Sequence, residues 1–258
     1  MQHQKIVDHI NLWLTDYLTK SNLEGFVVGV SGGVDSALTG TLAAITGRPT
    51  ILVNMPIFQS KKQFERSSQQ IERLENSYTN VKSYEVDLTP VFKSITDNFP
   101  DHVQDSLSMA NARARLRMTT LYTFASAHKL LVVGTGNKVE DFGVGFYTKY
   151  GDGGVDLSPI ADLMKSDVFS LAKYLNVLPS ILDAKPTDGL WGDDRSDEDQ
   201  LGATYAELEW AMKNIENEDT STFSVRQTEV MLIYKRLNKA NQHKMVPIPV
   251  CEIPKSYK

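Results

Sequence analysis

The sequence predicts an α/β fold: a doubly wound parallel sheet flanked by helices, followed by a helical C-terminal extension. Short apolar runs rich in Val, Ile and Leu recur along the chain, helix-period segments separate them, and two of the runs end in glycines. A strand that is apolar at every position is buried on both faces, and parallel neighbours need crossover helices to join them.

The elements follow in order. Ile6, Ile10, Trp13, Leu14, Tyr17 and Leu18 recur at helical spacing, so Met1 to Lys20 reads as an amphipathic helix with those residues as its packing face. Gly25 to Val30 (GFVVGV) is the first strand and runs into Ser31-Gly32-Gly33-Val34-Asp35-Ser36. A helix from Asp35 to Thr46 follows, stopped by Gly47 and Pro49. Thr50 to Met55 is the second strand, and Gln59 to Asn76 a helix with Phe64, Ile71 and Leu74 inward. Val81 to Leu88 is the third strand. A long helix from Leu107 to Lys129 leads to the fourth strand, Leu130 to Val133, which ends at Gly134. Lys165 to Val177 reads as a helix. Residues 183–199 carry charge, glycine and proline with no apolar period, which predicts a functional or mobile loop. Helices over Tyr205 to Asn214 and Ser224 to Asn241 and a proline-punctuated tail complete a single domain over residues 1–258.

Composition narrows the function. With 41% hydrophobic and 23% charged residues the chain has globular composition and enough apolar material for a sizeable core. Twenty-seven Lys and Arg against 32 Asp and Glu give a net charge of −5. That balance argues against a dedicated nucleic-acid or membrane-surface binder, yet leaves room for a local cationic pocket. The single cysteine, Cys251, excludes an intramolecular disulfide framework and a Cys-based zinc cluster, and fits a reducing, cytoplasmic setting. No stretch approaches the roughly 18 apolar residues of a membrane span. Asp8, His9 and Asn11 break any apolar stretch of a signal peptide.

In parallel sheets ligands bind beyond the carboxyl ends of the strands, here after Val30 and after Val133. The segment Gly29-Val30-Ser31-Gly32-Gly33-Val34-Asp35-Ser36 turns a strand through two glycines into a helix. Such a turn aims successive backbone N–H groups at one spot and adds the positive end of the helix dipole, making an anion nest. Ser31 and Ser36 offer hydroxyl donors, and Asp35 a hard oxygen ligand for Mg2+. The segment lacks the Gly-Lys-Ser/Thr of a P-loop, and neither it nor Gly134-Thr135-Gly136 completes G-x-G-x-x-G. Gly29 to Gly33 satisfies the G-x-S-x-G of a serine-hydrolase elbow, but no HGGG-type segment accompanies it, and only His243 stands late enough to follow an acid. A plain glycine turn is the other alternative.

Ser31 to Ser36, Ser-Gly-Gly-x-Asp-Ser, resembles the signature of the ATP-pyrophosphatase (PP-loop) superfamily. Its members cleave ATP between the α- and β-phosphates and adenylate a carboxylate or carbonyl oxygen. Further segments narrow the resemblance to ammonia-dependent NAD synthetase over nearly the whole chain. They are Asn111 to Met118 (NARARLRM), Val133 to Glu140 (VGTGNKVE), Gly145 to Asp156 (GFYTKYGDGGVD) and Leu163-Met164-Lys165. Lys185-Pro186-Thr187, Ser196-Asp197-Glu198 before Leu201-Gly202, and His243-Lys244 complete the set. The resemblance implies a Rossmann-like, adenine nucleotide alpha hydrolase-like fold. It also implies a reaction in which ATP adenylates the nicotinate carboxylate of deamido-NAD and ammonia displaces AMP.

Site residues follow from the same resemblance. It implies ATP contacts at Gly29, Val30, Ser31, Gly32, Gly33, Val34, Asp35, Ser36, Thr135, Lys165 and Thr187. It places Mg2+ on Asp35 and Glu140, and deamido-NAD on Arg115, Lys149, Asp156, His243 and Lys244, with Asp152 a further candidate. Taken alone, Glu140 reads as a solvated helix-start carboxylate, Lys165 as a surface charge and His243-Lys244 as a basic helix end. On a helix Arg113 and Arg117 share a face and Arg115 points elsewhere; the resemblance selects Arg115. Thr187 falls in the expected mobile segment, which suggests a lid over ATP. Between Glu140 and Lys149 the chain is one residue longer than the pattern of bacterial relatives. The resemblance further implies a homodimer with deamido-NAD at the subunit interface. The family-like motifs run from Gly29 to Lys244 and leave no room for a glutaminase domain, and Cys251 lies among prolines, so free ammonia is the expected nitrogen source. Two alternatives share the loop: another PP-loop amidating or thiolating enzyme, such as a GMP-synthetase-like one, and a non-catalytic adenine-nucleotide sensor.

Overall fold

Phe26 and Val28 of the first strand, with Val30 just beyond it, pack into one hydrophobic cluster, and Val27 packs into another on the opposite face. Alternating side chains of a strand point to opposite faces, so a strand apolar throughout lies between two covered surfaces. The computed structural model describes residues 1–187, 196–217, 219 and 221–258. Its sheet has four parallel strands: β1 (Gly25–Gly29), β2 (Thr50–Asn54), β3 (Val81–Glu85) and β4 (Leu130–Val132), in the order β3-β2-β1-β4. The chain winds outward from β1 to β3 and then returns to place β4 on the other side of β1. That reversal opens a crevice at the carboxyl ends of β1 and β4.

One face of the sheet is covered by α1 (His3–Ser21), α2 (Val34–Ile45), α3 (Lys61–Ser77) and α6 (Lys165–Tyr174). The other is covered by α4 (Thr89–Asn98) and α5 (Ser106–His128). α7 (Pro179–Leu182) and α8 (Asp197–Leu201) are short, and α9 (Tyr205–Lys213) and α10 (Val225–Met245) form the helical extension. A third core joins that extension to a π-helix, Val139–Val144, through Val139, Val144, Leu208, Val230 and Tyr234.

Several expectations are corrected. Trp13 and Tyr17 are exposed rather than inward, because Val7, Ile10, Leu14 and Leu18 already fill the buried stripe of α1. The third strand ends at Glu85, and residues beyond it lead into α4, which the periodicity did not reveal. α10 continues to Met245. The expected loop over 183–199 contains the start of α8 at Asp197, and residues 188–195 of that expected lid lie outside the described residues. No described helix is long and apolar enough to cross a membrane.

Candidate active site

The loop after β1 is held open by a left-handed glycine. Gly32 has φ +83°, and a Cβ there would lie 2.6 Å from the carbonyl oxygen of Gln63. Only glycine takes that conformation without strain and allows that approach. The Ser36 hydroxyl accepts from Ser31 N (3.1 Å) and donates to the Gly33 carbonyl (3.1 Å), while Ser31 Oγ accepts from Gly33 N (3.3 Å). Gln59 Nε2 donates to the Ser31 carbonyl (3.1 Å) and Arg66 Nε to the Gly32 carbonyl (3.2 Å). The loop carbonyls are thus tied back toward α3. Amides in the first turn of a helix have no intrahelical acceptor, which leaves those of α2 available to an anion.

A cavity of about 250 Å3 opens there, lined by all eight residues from Gly29 to Ser36 and by Thr135, Glu140, Lys165 and Thr187. Lys165, the first residue of α6, is 3% exposed, and its Nζ donates to Asp35 Oδ2 (2.7 Å) and Glu140 Oε1 (3.0 Å). Burial works against that ammonium, but the Asp35 and Glu140 carboxylates outweigh it and hold the group above its ordinary value. Asn137 Nδ2 donates to Asp35 Oδ1 (3.0 Å), while its Oδ1 accepts from the amides of Val139 (3.1 Å) and Glu140 (3.2 Å). The N-terminal end of α6 is bound from the extension: Ser166 N and Oγ each donate to the Glu209 carboxylate at 2.8 Å.

Glu140 lies on the π-helix Val139–Val144. Glu140 meets Lys165, and Lys149 Nζ donates to the His243 carbonyl (3.0 Å). Burial, with Glu140, Asp152 and Asp35 nearby, pushes the Asp141 carboxyl up to about 8.

Of the residues expected at the second substrate, Arg115, Lys149 and His243 are linked to one another and Lys244 lines a cavity beside this one. Arg115 NH2 donates to the Lys149 carbonyl (3.3 Å), linking it to the Lys149–His243 contact. Lys244 Nζ donates to the carbonyls of Gly145 and Tyr147 and lies 4.9 Å from the centre of the Tyr147 ring. Lys244 lines an adjoining cavity with Asp141, Tyr147 and Asp152. Asp156 is turned elsewhere: it accepts from Tyr122 OH (2.9 Å) and from Val132 N (2.8 Å), covering the edge of β4.

Sequence reasoning missed Tyr205, Asn137 and Asp141, and gave Asp197 no role. Tyr205 and Asp197 had a faint signal, since Asp197 sits in the Ser-Asp-Glu segment and Tyr205 follows Leu201-Gly202. Nothing in their spacing connects them to Glu140.

A parallel α/β sheet whose Ser-Gly-Gly-Val-Asp-Ser loop opens at the strand-order reversal onto a carboxylate–lysine wall defines a protein of the PP-loop class. Residues 6–247 match the model of one family within that class, NAD synthase. The chain belongs to the NAD synthase family. It is 38% identical to an NH(3)-dependent NAD(+) synthetase of Mesoplasma florum over 81% of this chain and 84% of that one. Among solved structures it resembles an NMN synthetase from Francisella tularensis, with a TM-score of 0.83, 31% identity and 99% of both chains covered. It also resembles an NH3-dependent NAD synthetase from Campylobacter jejuni in complex with nitrate, with a TM-score of 0.79, 25% identity, and 98% of this chain and 100% of that one covered.

Proposed function

We propose that this protein joins ammonia to the nicotinate carboxylate of deamido-NAD, using ATP and releasing AMP and diphosphate. One observation carries the reading: the Ser31–Ser36 nest and the Asp35–Lys165–Glu140 cluster open onto a single cavity, in a chain whose relatives are named for this reaction.

A carboxylate is inert to ammonia because oxide is a poor leaving group. Attack of its oxygen on the α-phosphate of ATP breaks the α–β bond and leaves an acyl-adenylate. Ammonia then adds to the carbonyl carbon, AMP leaves with the C–O electron pair, and the nitrogen gives up a proton. In this scheme residues 29–36 bind the diphosphate, and the Lys165 ammonium balances the charge that develops as it departs. Thr135 and Thr187 contact ATP. Arg115, Lys149, His243 and Lys244 orient the dinucleotide, and Asp156 acts from the β4 edge.

Asp35 and Glu140 would hold Mg2+. Their donor set fits: two hard oxygens already share one cation, the Lys165 ammonium, at 2.7 and 3.0 Å. Among the described residues no group of three or more His, Cys, Asp or Glu forms a cage. That suits a metal held by one or two carboxylates and the phosphates. Bound Mg2+ supplies charge neutralisation to the leaving diphosphate.

The likeness to an NMN synthetase favours a second reading, in which nicotinate mononucleotide is the amidated substrate. Diphosphate release from ATP, Mg2+ and ammonia tests both. Dependence on deamido-NAD is expected; a higher kcat/KM with nicotinate mononucleotide would move the assignment to the second reading. Release with xanthosine monophosphate alone would overturn both, and ATP binding without any release would indicate a sensor. We further propose that the chain acts as one domain, in the cytoplasm, on free ammonia and as a homodimer. Sedimentation should give twice the chain mass, and glutamine should not replace ammonia.

A further inference from the structure

Tyr205 has no place in the scheme above, yet it touches one carboxylate of the metal site, Glu140, and the Lys165 ammonium paired with it. It is the first residue of α9 and is 5% exposed. Its hydroxyl donates to Glu140 Oε1 at 2.5 Å, the oxygen that also receives Lys165, and lies 3.3 Å from Asp197 Oδ2. Its ring faces the Lys165 ammonium, with Nζ 4.6 Å from the ring centre. The start of α9 is itself fixed: Glu207 N donates to Thr204 Oγ1 (3.2 Å), Thr204 N donates to Glu207 Oε2 (2.8 Å), and Tyr205 N donates to Glu198 Oε1 (2.8 Å).

We propose that Tyr205 is a positioning residue for the metal-binding carboxylate: it pins Glu140 through Oε1, presents Oε2 to the cation, and holds Lys165 over its ring. The inference rests on the metal reading given above. A tyrosine buried only for packing needs one acceptor of any kind. This one directs its proton at a carboxylate lining the cavity and its π-face at the ammonium paired with that carboxylate. Two donors converging on one oxygen fix the plane of the carboxylate. Among the described residues, a Glu140 side chain without the tyrosine keeps only Lys165 as its hydrogen-bond partner, and Lys165 is shared with Asp35.

The test is Mn2+ titration by electron paramagnetic resonance with a non-hydrolysable ATP analogue, on the full chain. Tyr205→Phe keeps the ring and the cation–π contact and removes the donor. Outer partners of metal ligands typically contribute about 10- to 100-fold in affinity, so Mn2+ binding should weaken by at least about 10-fold. The Mg2+ concentration for half-maximal diphosphate release should rise in parallel, with activity recovering at saturating Mg2+. In a Glu140→Gln background the same change should cost nothing further, since coupled residues are not additive. A lower melting temperature with unchanged Mn2+ affinity, or an additive loss in the double variant, would overturn the role of Tyr205 alone. Failure of the unsubstituted protein to bind Mn2+ with nucleotide would instead overturn the metal reading on which it stands.

Discussion

The cavity has two walls of different origin. One is the loop from Gly29 to Ser36, eight consecutive residues joining β1 to α2. The other brings together Asp35, Glu140, Lys165 and Tyr205 from four elements, with Glu140 standing 105 positions beyond Asp35 along the chain. The first wall is specified by local backbone geometry and tolerates little change at a single glycine. The second is specified by charge balance, and each member depends on its partners. A contiguous motif therefore fails through strain, and a dispersed one through an orphaned charge.

Lys165→Met tests the dispersed wall most severely, because it leaves two carboxylates facing each other without their cation. Breaking a buried ion pair from one side costs about 3–5 kcal/mol. Urea denaturation should show a loss of that size, and added Mg2+ should restore part of it. A loss under about 1 kcal/mol, as for an exposed pair, would mean that the wall is solvated.

Gly32→Ala tests the contiguous wall. The methyl group meets the Gln63 carbonyl oxygen at 2.6 Å in a left-handed conformation, so the loop must shift. A cost of about 1–3 kcal/mol in stability is expected. Diphosphate release should fall by about 100-fold, as for an angstrom-scale misplacement. Near-normal turnover in a stable variant would show that the nest does not position the phosphates.

Glu209→Gln asks how firmly the extension holds the second wall. Glu209 accepts from Ser166 N and Oγ and so fixes the end of α6 that carries Lys165. A loss of about 1–2 kcal/mol is expected, read as a shift in urea midpoint.

The smallest effect lies at the α9–α10 surface, away from the cavity. Hydrogen bonding from Arg226 holds the Glu207 carboxyl down at about 2, with help from Thr204. A depressed carboxyl contributes stability above its unfolded pKa, about 4.3, and loses it as pH falls toward 2. Arg226→Met should flatten the acid limb of the stability curve in that window and leave pH 7 turnover unchanged. A large effect at pH 7 would show that surface pairs, rather than the third core, hold the extension.

Legibility in the sequence follows the same division. β1, β2 and β4 were visible because their apolar runs are nearly continuous, whereas β3 buries only Val81 of its five residues; α5, α9 and α10 begin at local side-chain caps on Asp105, Thr204 and Ser224. The helix over 89–98 is ten residues long, buries only Phe92 and begins without a side-chain cap, so little local signal marked it. The π turn at Val139–Val144 had no reading of its own in the sequence. Ser31 to Ser36 could be read as an anion nest from residue types alone. Glu140 and Lys165, taken singly, looked like ordinary surface charges, and only the family resemblance gave them roles.

By itself, then, the sequence determined the parallel α/β sheet, the place of its phosphate-type loop and the family motifs strung behind it. Periodicity, glycine conformation and helix dipoles act over a few neighbouring residues, and such short-range terms are written directly in the order of the chain. The tertiary structure decided that Lys165 bridges Asp35 and Glu140, that Asp156 turns to the edge of β4, and that Tyr205 reaches Glu140. Those contacts depend on where burial places an unpaired charge, and a buried charge takes its partner from whatever element the folded chain brings beside it.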